Sequence, residues 1–153
     1  MKRLATLVAA TALALATAGT AQAGIQLSKI LPYPGVVAGD QNAQVNAEYV
    51  VVKNTASKAK NIRGWYIREK KFKRAYTFPG FTLCAGCSVK IHSGHGTNTA
   101  TDLYWGRSAG AWVDSGDTAI LHRASGLLQG SCVYPKPTTG VPPLPTPGKM
   151  FGC

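Results

Sequence analysis

Acidic side chains are scarce in this chain: six Asp and Glu stand against 17 Lys and Arg in 153 residues, a formal charge of +11. Long charged heptads are missing, and the 17 Gly and 9 Pro follow no fixed period. Coiled-coil and collagen-like architectures are thereby excluded. There is no internal repeat, and no amphipathic helical pattern occurs after Ala23. Gly106-Arg107-Ser108-Ala109-Gly110 has the G-x-S-x-G spacing of a nucleophile elbow, but no helical pattern follows it as that strand–turn–helix device requires, so Ser/His/Asp catalysis has little support. Apolar residues are not in short supply. They make up 45% of the chain and are spread along it, which argues against disorder and for one domain with a real core.

The one long apolar run is at the N-terminus. Met1-Lys2-Arg3 opens it with positive charge, Leu4 to Ala18 is apolar or small, and Ala21-Gln22-Ala23 closes it with small residues around one polar residue. That is the plan of a secretory leader. The run is Ala/Thr-rich and shorter than the ~20 strongly apolar residues of a spanning helix, so a membrane anchor fits less well. Residues 1–23 are expected to be removed, which leaves residues 24–153 as a secreted, extracellular protein of charge +9.

Export makes disulfides the default for Cys84, Cys87, Cys132 and Cys153. Four cysteines allow three connectivities. Cys84-Ala85-Gly86-Cys87 suits a tight turn with Gly86 at positive φ, whose ends are close enough for a local bridge. Cys132 is then left for Cys153. A redox role for the Cys-x-x-Cys pair needs a following helix, and none is indicated.

Short β-rich runs separated by turn formers predict an all-β sandwich or barrel. The expected strands are 25–31, 45–53, 61–68, 75–78, 88–92, 118–122 and 127–134. In the third, Trp65 and Ile67 share one face and Tyr66 and Arg68 the other, with a bulge expected at Gly64. Trp65, Trp105 and Trp112 are expected as core and loop anchors. Asp114 and Asp117 are expected as turn residues. After Tyr134 the prolines of 135–147 cannot supply ladder hydrogen bonds, so residues 135–153 read as an extended, Pro-rich tail ending in a cysteine.

The order of motifs along residues 24–134 resembles one known family. Val45-Asn46-Ala47-Glu48-Tyr49-Val50-Val51-Val52-Lys53-Asn54 is similar to the opening N-x-E-[YF]-V…N signature of the lamin tail domain. The likeness continues in register through Gly64-Trp65-Tyr66-Ile67-Arg68, Tyr76-Thr77-Phe78-Pro79 and Leu83-Cys84-Ala85-Gly86-Cys87-Ser88-Val89. It extends over His92-Ser93-Gly94-His95-Gly96-Thr97, Tyr104-Trp105-Gly106, Ala111-Trp112-Val113 and Gly116-Asp117-Thr118-Ala119-Ile120-Leu121. The resemblance, to the short secreted bacterial type, implies an immunoglobulin-like β-sandwich serving as a binding or structural module. It brings no catalytic residues with it. Two departures raise the local positive charge. An acidic-glycine turn expected after Arg68 is Glu69-Lys70-Lys71-Phe72-Lys73-Arg74 here, and an acid expected near Cys132 is replaced by Gln129-Gly130-Ser131.

Three functional readings follow. Lys53, Lys58, Lys60, Arg63, Arg68, Lys70, Lys71, Lys73 and Arg74 fall within 22 residues and are opposed only by Glu69. Crowded at one end or face of a meander they make a positive field, which draws polyanions by counterion release or merely solubilises the protein. Lys60, Arg68, Lys70, Lys71, Lys73 and Arg74 are the expected contacts to nucleic acid or cell-envelope polyanions, with Tyr66, Phe72 and Tyr76 available for stacking. This reading is non-catalytic and needs no cofactor or metal. The alternative is a metal-assisted hydrolase or nuclease using His92, His95 and Asp102, although His-x2-His in a Gly-rich loop with no nearby glutamate base is an incomplete ligand set. The third is a module that binds another protein through its sheet edges.

Overall fold

The computed structural model describes residues 23–32, 34–35, 39–113, 116–134 and 148–153. The apolar leader up to residue 22, Asp114 and the proline run 135–147 lie outside them. Alternating burial within short segments gives the strands β1 (Ile25–Leu31), β2 (Tyr49–Asn54), β4 (Tyr66–Glu69), β7 (Ser88–His92), β9 (Asp117–His122) and β10 (Leu128–Tyr134). Shorter strands are β3 (Lys60–Asn61), β5 (Ala75–Thr77), β6 (Thr82–Leu83), β8 (Asp102–Tyr104) and β11 (Phe151–Gly152). Among the described residues one helix, α1 (Gln41–Asn46), precedes β2.

One sheet has the order β11-β1-β2-β7-β8, a second has β10-β9-β4-β5, and β3 and β6 form a separate pair. Pairing is antiparallel throughout except between β7 and β8. The inward faces of the two large sheets enclose one core of Ile30, Val50, Val52, Ile67, Phe78, Leu83, Val89, Ile91, Leu103, Leu121 and Tyr134. Two stacked antiparallel-dominated sheets around such a core make an immunoglobulin-like β-sandwich; the spacing of strand and turn signals predicts a sandwich or barrel, and the family resemblance implies the immunoglobulin-like form. Trp65 and Trp112 are buried in this core, and Trp105 packs against it.

Three local expectations are corrected. Residues 45 and 46 belong to α1 rather than to the second strand, which begins at Tyr49. Asp40 starts this helix by accepting a hydrogen bond from the Ala43 amide at 2.8 Å, the role of an N-cap side chain. The run 61–68 is two strands. Gly64 takes φ +76° and the Trp65 amide bonds back to the Ile62 carbonyl at 3.0 Å, so the chain turns there instead of bulging. Tyr76 points into the core, 6% exposed, and is not available for stacking.

Two disulfides close the structure. Cys84 and Cys87 are joined across a turn in which Gly86 has φ +72°. Cys132 on β10 is joined to Cys153, just beyond β11, and so covalently links the two large sheets. Among the described residues no helix is long and apolar enough to cross a membrane.

Candidate functional site

The β4–β5 hairpin is built around a buried acid. Glu69, fully buried at the end of β4, accepts hydrogen bonds from the amides of Lys71 and Phe72, while the Glu69 amide donates to the Arg74 carbonyl at 2.8 Å. Burial pushes the Glu69 carboxyl above its ordinary value and Asp117 beside it adds to the rise, against the lowering by the two amides. Because Glu69 faces the backbone, Lys70, Lys71 and Lys73 stand exposed with no carboxylate on the hairpin surface to meet them. Lys73 holds φ +58°, a left-handed conformation unfavourable for a residue with a Cβ.

Phe72 completes the tip. It is 54% exposed, with the Arg74 guanidinium carbon 4.5 Å and the Lys71 Nζ 5.6 Å from its ring centroid. Arg74 also directs Nη1 at the carbonyls of Gly110 and Ala111, both at 3.4 Å, which ties the hairpin to the loop before β9. Arg68 is half-buried on the outward face of β4, and its Nε has no hydrogen-bond partner among the described residues. Tyr66, on the same face, stacks on His122 at 4.7 Å between centroids.

The expected crowding of all these cations at one place is corrected by the topology. Lys60 lies on β3 and Arg63 in the turn that enters β4, whereas Lys70 to Arg74 follow its far end. Lys60 instead lines a cleft of about 700 Å³ between the β3–β6 pair and the β9–β10 hairpin, with Lys58, Arg123, Trp65, Asn61 and Ser125. Nothing in the sequence joined Arg123 to this group, since it lies 63 residues from Lys60 and outside the charge run.

The second cluster is His92, His95 and Asp102. His92 Nδ1 is 2.6 Å from the Asn46 carbonyl and Nε2 is 2.9 Å from Asp102 Oδ1, so both ring nitrogens are engaged. Thr101 Oγ1 donates to Asp102 Oδ2 at 2.6 Å. The Thr101 hydroxyl first, then His92, holds the Asp102 carboxyl below its ordinary value. His95 is not brought to this pair; it lines a separate small pocket with Asp40 and Arg107. Among the described residues no three His, Cys, Asp or Glu side chains assemble as a metal site. The arrangement braces β7 against β8 and the end of α1, and nothing in it favours the metal-assisted alternative.

Among the described residues the remaining acids are also committed. Glu48 is buried and accepts from the Ala111 amide at 2.6 Å, the Trp112 amide at 3.1 Å and the Ser93 hydroxyl. Asp117 accepts from the Thr118 amide at 2.6 Å.

No curated protein matches the chain. A family model, Lamin Tail Domain, matches residues 18–136, about three quarters of its length. With its sandwich topology and the buried Glu48 and Asn54 of the signature run, the chain belongs to the lamin tail domain family.

Proposed function

We propose that this lamin tail domain is a secreted, non-catalytic module that docks on anionic polymers through the tip of its β4–β5 hairpin. The observation that carries the reading is the inversion of charge at that tip. Its one acid is turned inward to cap the backbone, and Lys70, Lys71 and Lys73 are left outward and uncompensated. Uncompensated lysines on a convex turn give a local positive field that attracts a polyanion without base- or sugar-specific contacts. Phe72 beside them offers a ring face. Residues 1–23 act as the export leader in this reading, and the two disulfides suit an oxidising compartment.

Binding to double-stranded DNA and to an anionic glycan over a salt series is the test. Four contacts from Lys70, Lys71, Lys73 and Arg74 predict a fall of log affinity with log salt at a slope of about −3.6 on DNA. Neutralising Lys70, Lys71 and Lys73 together should flatten the slope to about −0.9. A slope that the triple variant leaves unchanged would reduce the hairpin to a solubilising surface.

A further inference from the structure

We infer that the cleft between the β3–β6 pair and the β9–β10 hairpin binds an anionic sugar unit, its acid group held by Arg123 and Lys60 and its ring laid towards Trp65. The inference is independent of the hairpin reading, because the cleft uses none of Lys70, Lys71, Lys73 or Arg74.

Five features carry it. The cleft's volume of about 700 Å³ falls within the ~300–1,000 Å³ of small-molecule sites. Its lining contains three cations, Lys58, Lys60 and Arg123, and no acid. Cations gathered in a concavity raise the local concentration of anions. Arg123 is also positioned in advance. Its Nε donates to Gln129 Oε1 at 2.7 Å, and Gln129 Nε2 donates to the Ile25 carbonyl at 3.0 Å, so the side chain is tied back to β1. The terminal guanidinium nitrogens make no hydrogen bond to a described residue, which leaves them free for a carboxylate or phosphate in the fork geometry that arginine favours.

The other two features point to a hydroxylated ring behind the acid. Trp65 is only 9% exposed but lines the cleft with the Arg123 guanidinium carbon over its ring at 6.0 Å from the centroid, so the small apolar surface it offers lies beside the cation. Asn61 and Ser125 also line the cleft, and the Asn61 amide nitrogen and the Ser125 hydroxyl have no hydrogen-bond partner among the described residues. Such groups pair with sugar hydroxyls. A bare inorganic anion would use the cations and leave the rest of the lining idle. Uronates and sugar phosphates share this chemistry, an acid on a polyhydroxylated ring.

Calorimetric titration of the purified protein with glucuronate, glucose 6-phosphate, glucose and inorganic phosphate tests the proposal. At least one sugar acid should bind tenfold or more tightly than both glucose and inorganic phosphate, and the tighter of the two identifies the acid. Arg123→Gln should weaken that binding tenfold or more, Lys60→Gln should weaken it less, and Lys71→Gln in the hairpin should leave it unchanged. Arg123 is exposed, so its variant is expected to keep the melting temperature of the wild type. Equal binding of glucose, equal binding of inorganic phosphate, no heat from either sugar acid at millimolar concentration, or an Arg123→Gln protein of full affinity would each overturn it. DNA binding through the hairpin can fail while these titrations succeed, and the reverse.

Discussion

Glu48 and Asn54 bracket β2, both buried; Asn54 spends its polar atoms on backbone, and Glu48 on two backbone amides and the Ser93 hydroxyl. Glu48 ties Ala111 and Trp112 to the start of the strand. Asn54 Nδ2 donates to the carbonyls of Lys58, Leu83 and Cys84, and its Oδ1 accepts from the Ala56 amide. Truncating either strands buried groups. Glu48→Ala should cost about 3 kcal/mol in urea unfolding, since two amides lose their acceptor at once. The sequence marked these residues as a signature without saying what they do, because their partners lie up to 64 residues away and have no local pattern. Lys73 makes the opposite kind of prediction. Lys73→Gly should relieve the left-handed strain and stabilise the fold by up to about 1 kcal/mol while weakening polyanion binding. A loss on both counts would show that the lysine stabilises the hairpin by some contact other than its backbone conformation.

Strands of five to seven residues were readable in advance, because alternation over that length leaves an imprint on composition. β1 and β7 fall where expected, and β9 and β10 differ by a residue at one end. Of the strands of two or three residues, β5 falls within the expected 75–78, whereas β3, β6, β8 and β11 are too short to alternate. The helix α1 buries only Val45, so it has no apolar stripe to read, and Val45 next to the valines of β2 mimicked a longer strand. The candidate sites followed the same rule. The basic hairpin was visible as a run in the chain, whereas the cleft needed Arg123 from a distant turn. Disulfides are an element-level bond and rank by the loop they close. Replacing Cys132 and Cys153 with Ser should cost about 3 kcal/mol, and replacing Cys84 and Cys87 about 2 kcal/mol, for sequence separations of 21 and 3. Paired denaturation curves of the two double variants would measure the order.

Over the whole molecule the acids are few, and the described ones are too committed to behave as a titrating surface. Asp102 has a lowered folded pKa, so its stabilisation is complete above the unfolded value of 3.8 and is lost as pH falls through the folded one. The wild type should therefore lose more stability in strong acid than Asp102→Asn does. Glu69 has the reverse sign. Its raised folded pKa gives a contribution present below the unfolded value of 4.5 and lost as pH rises through the folded one. Relative to Glu69→Gln, the wild type should be most stable in acid, and thermal melts across pH would show the crossing of the two trends. The tail staple has a mechanical consequence as well. A pull applied at Cys153 passes through the sulfur bridge straight into Cys132, so the chain between them, a sequence separation of 21, carries no load and hides about 70 Å of contour at ~3.4 Å per residue. Under tension the oxidised protein is the shorter tether, and a reducing environment pays out that hidden length in a single step.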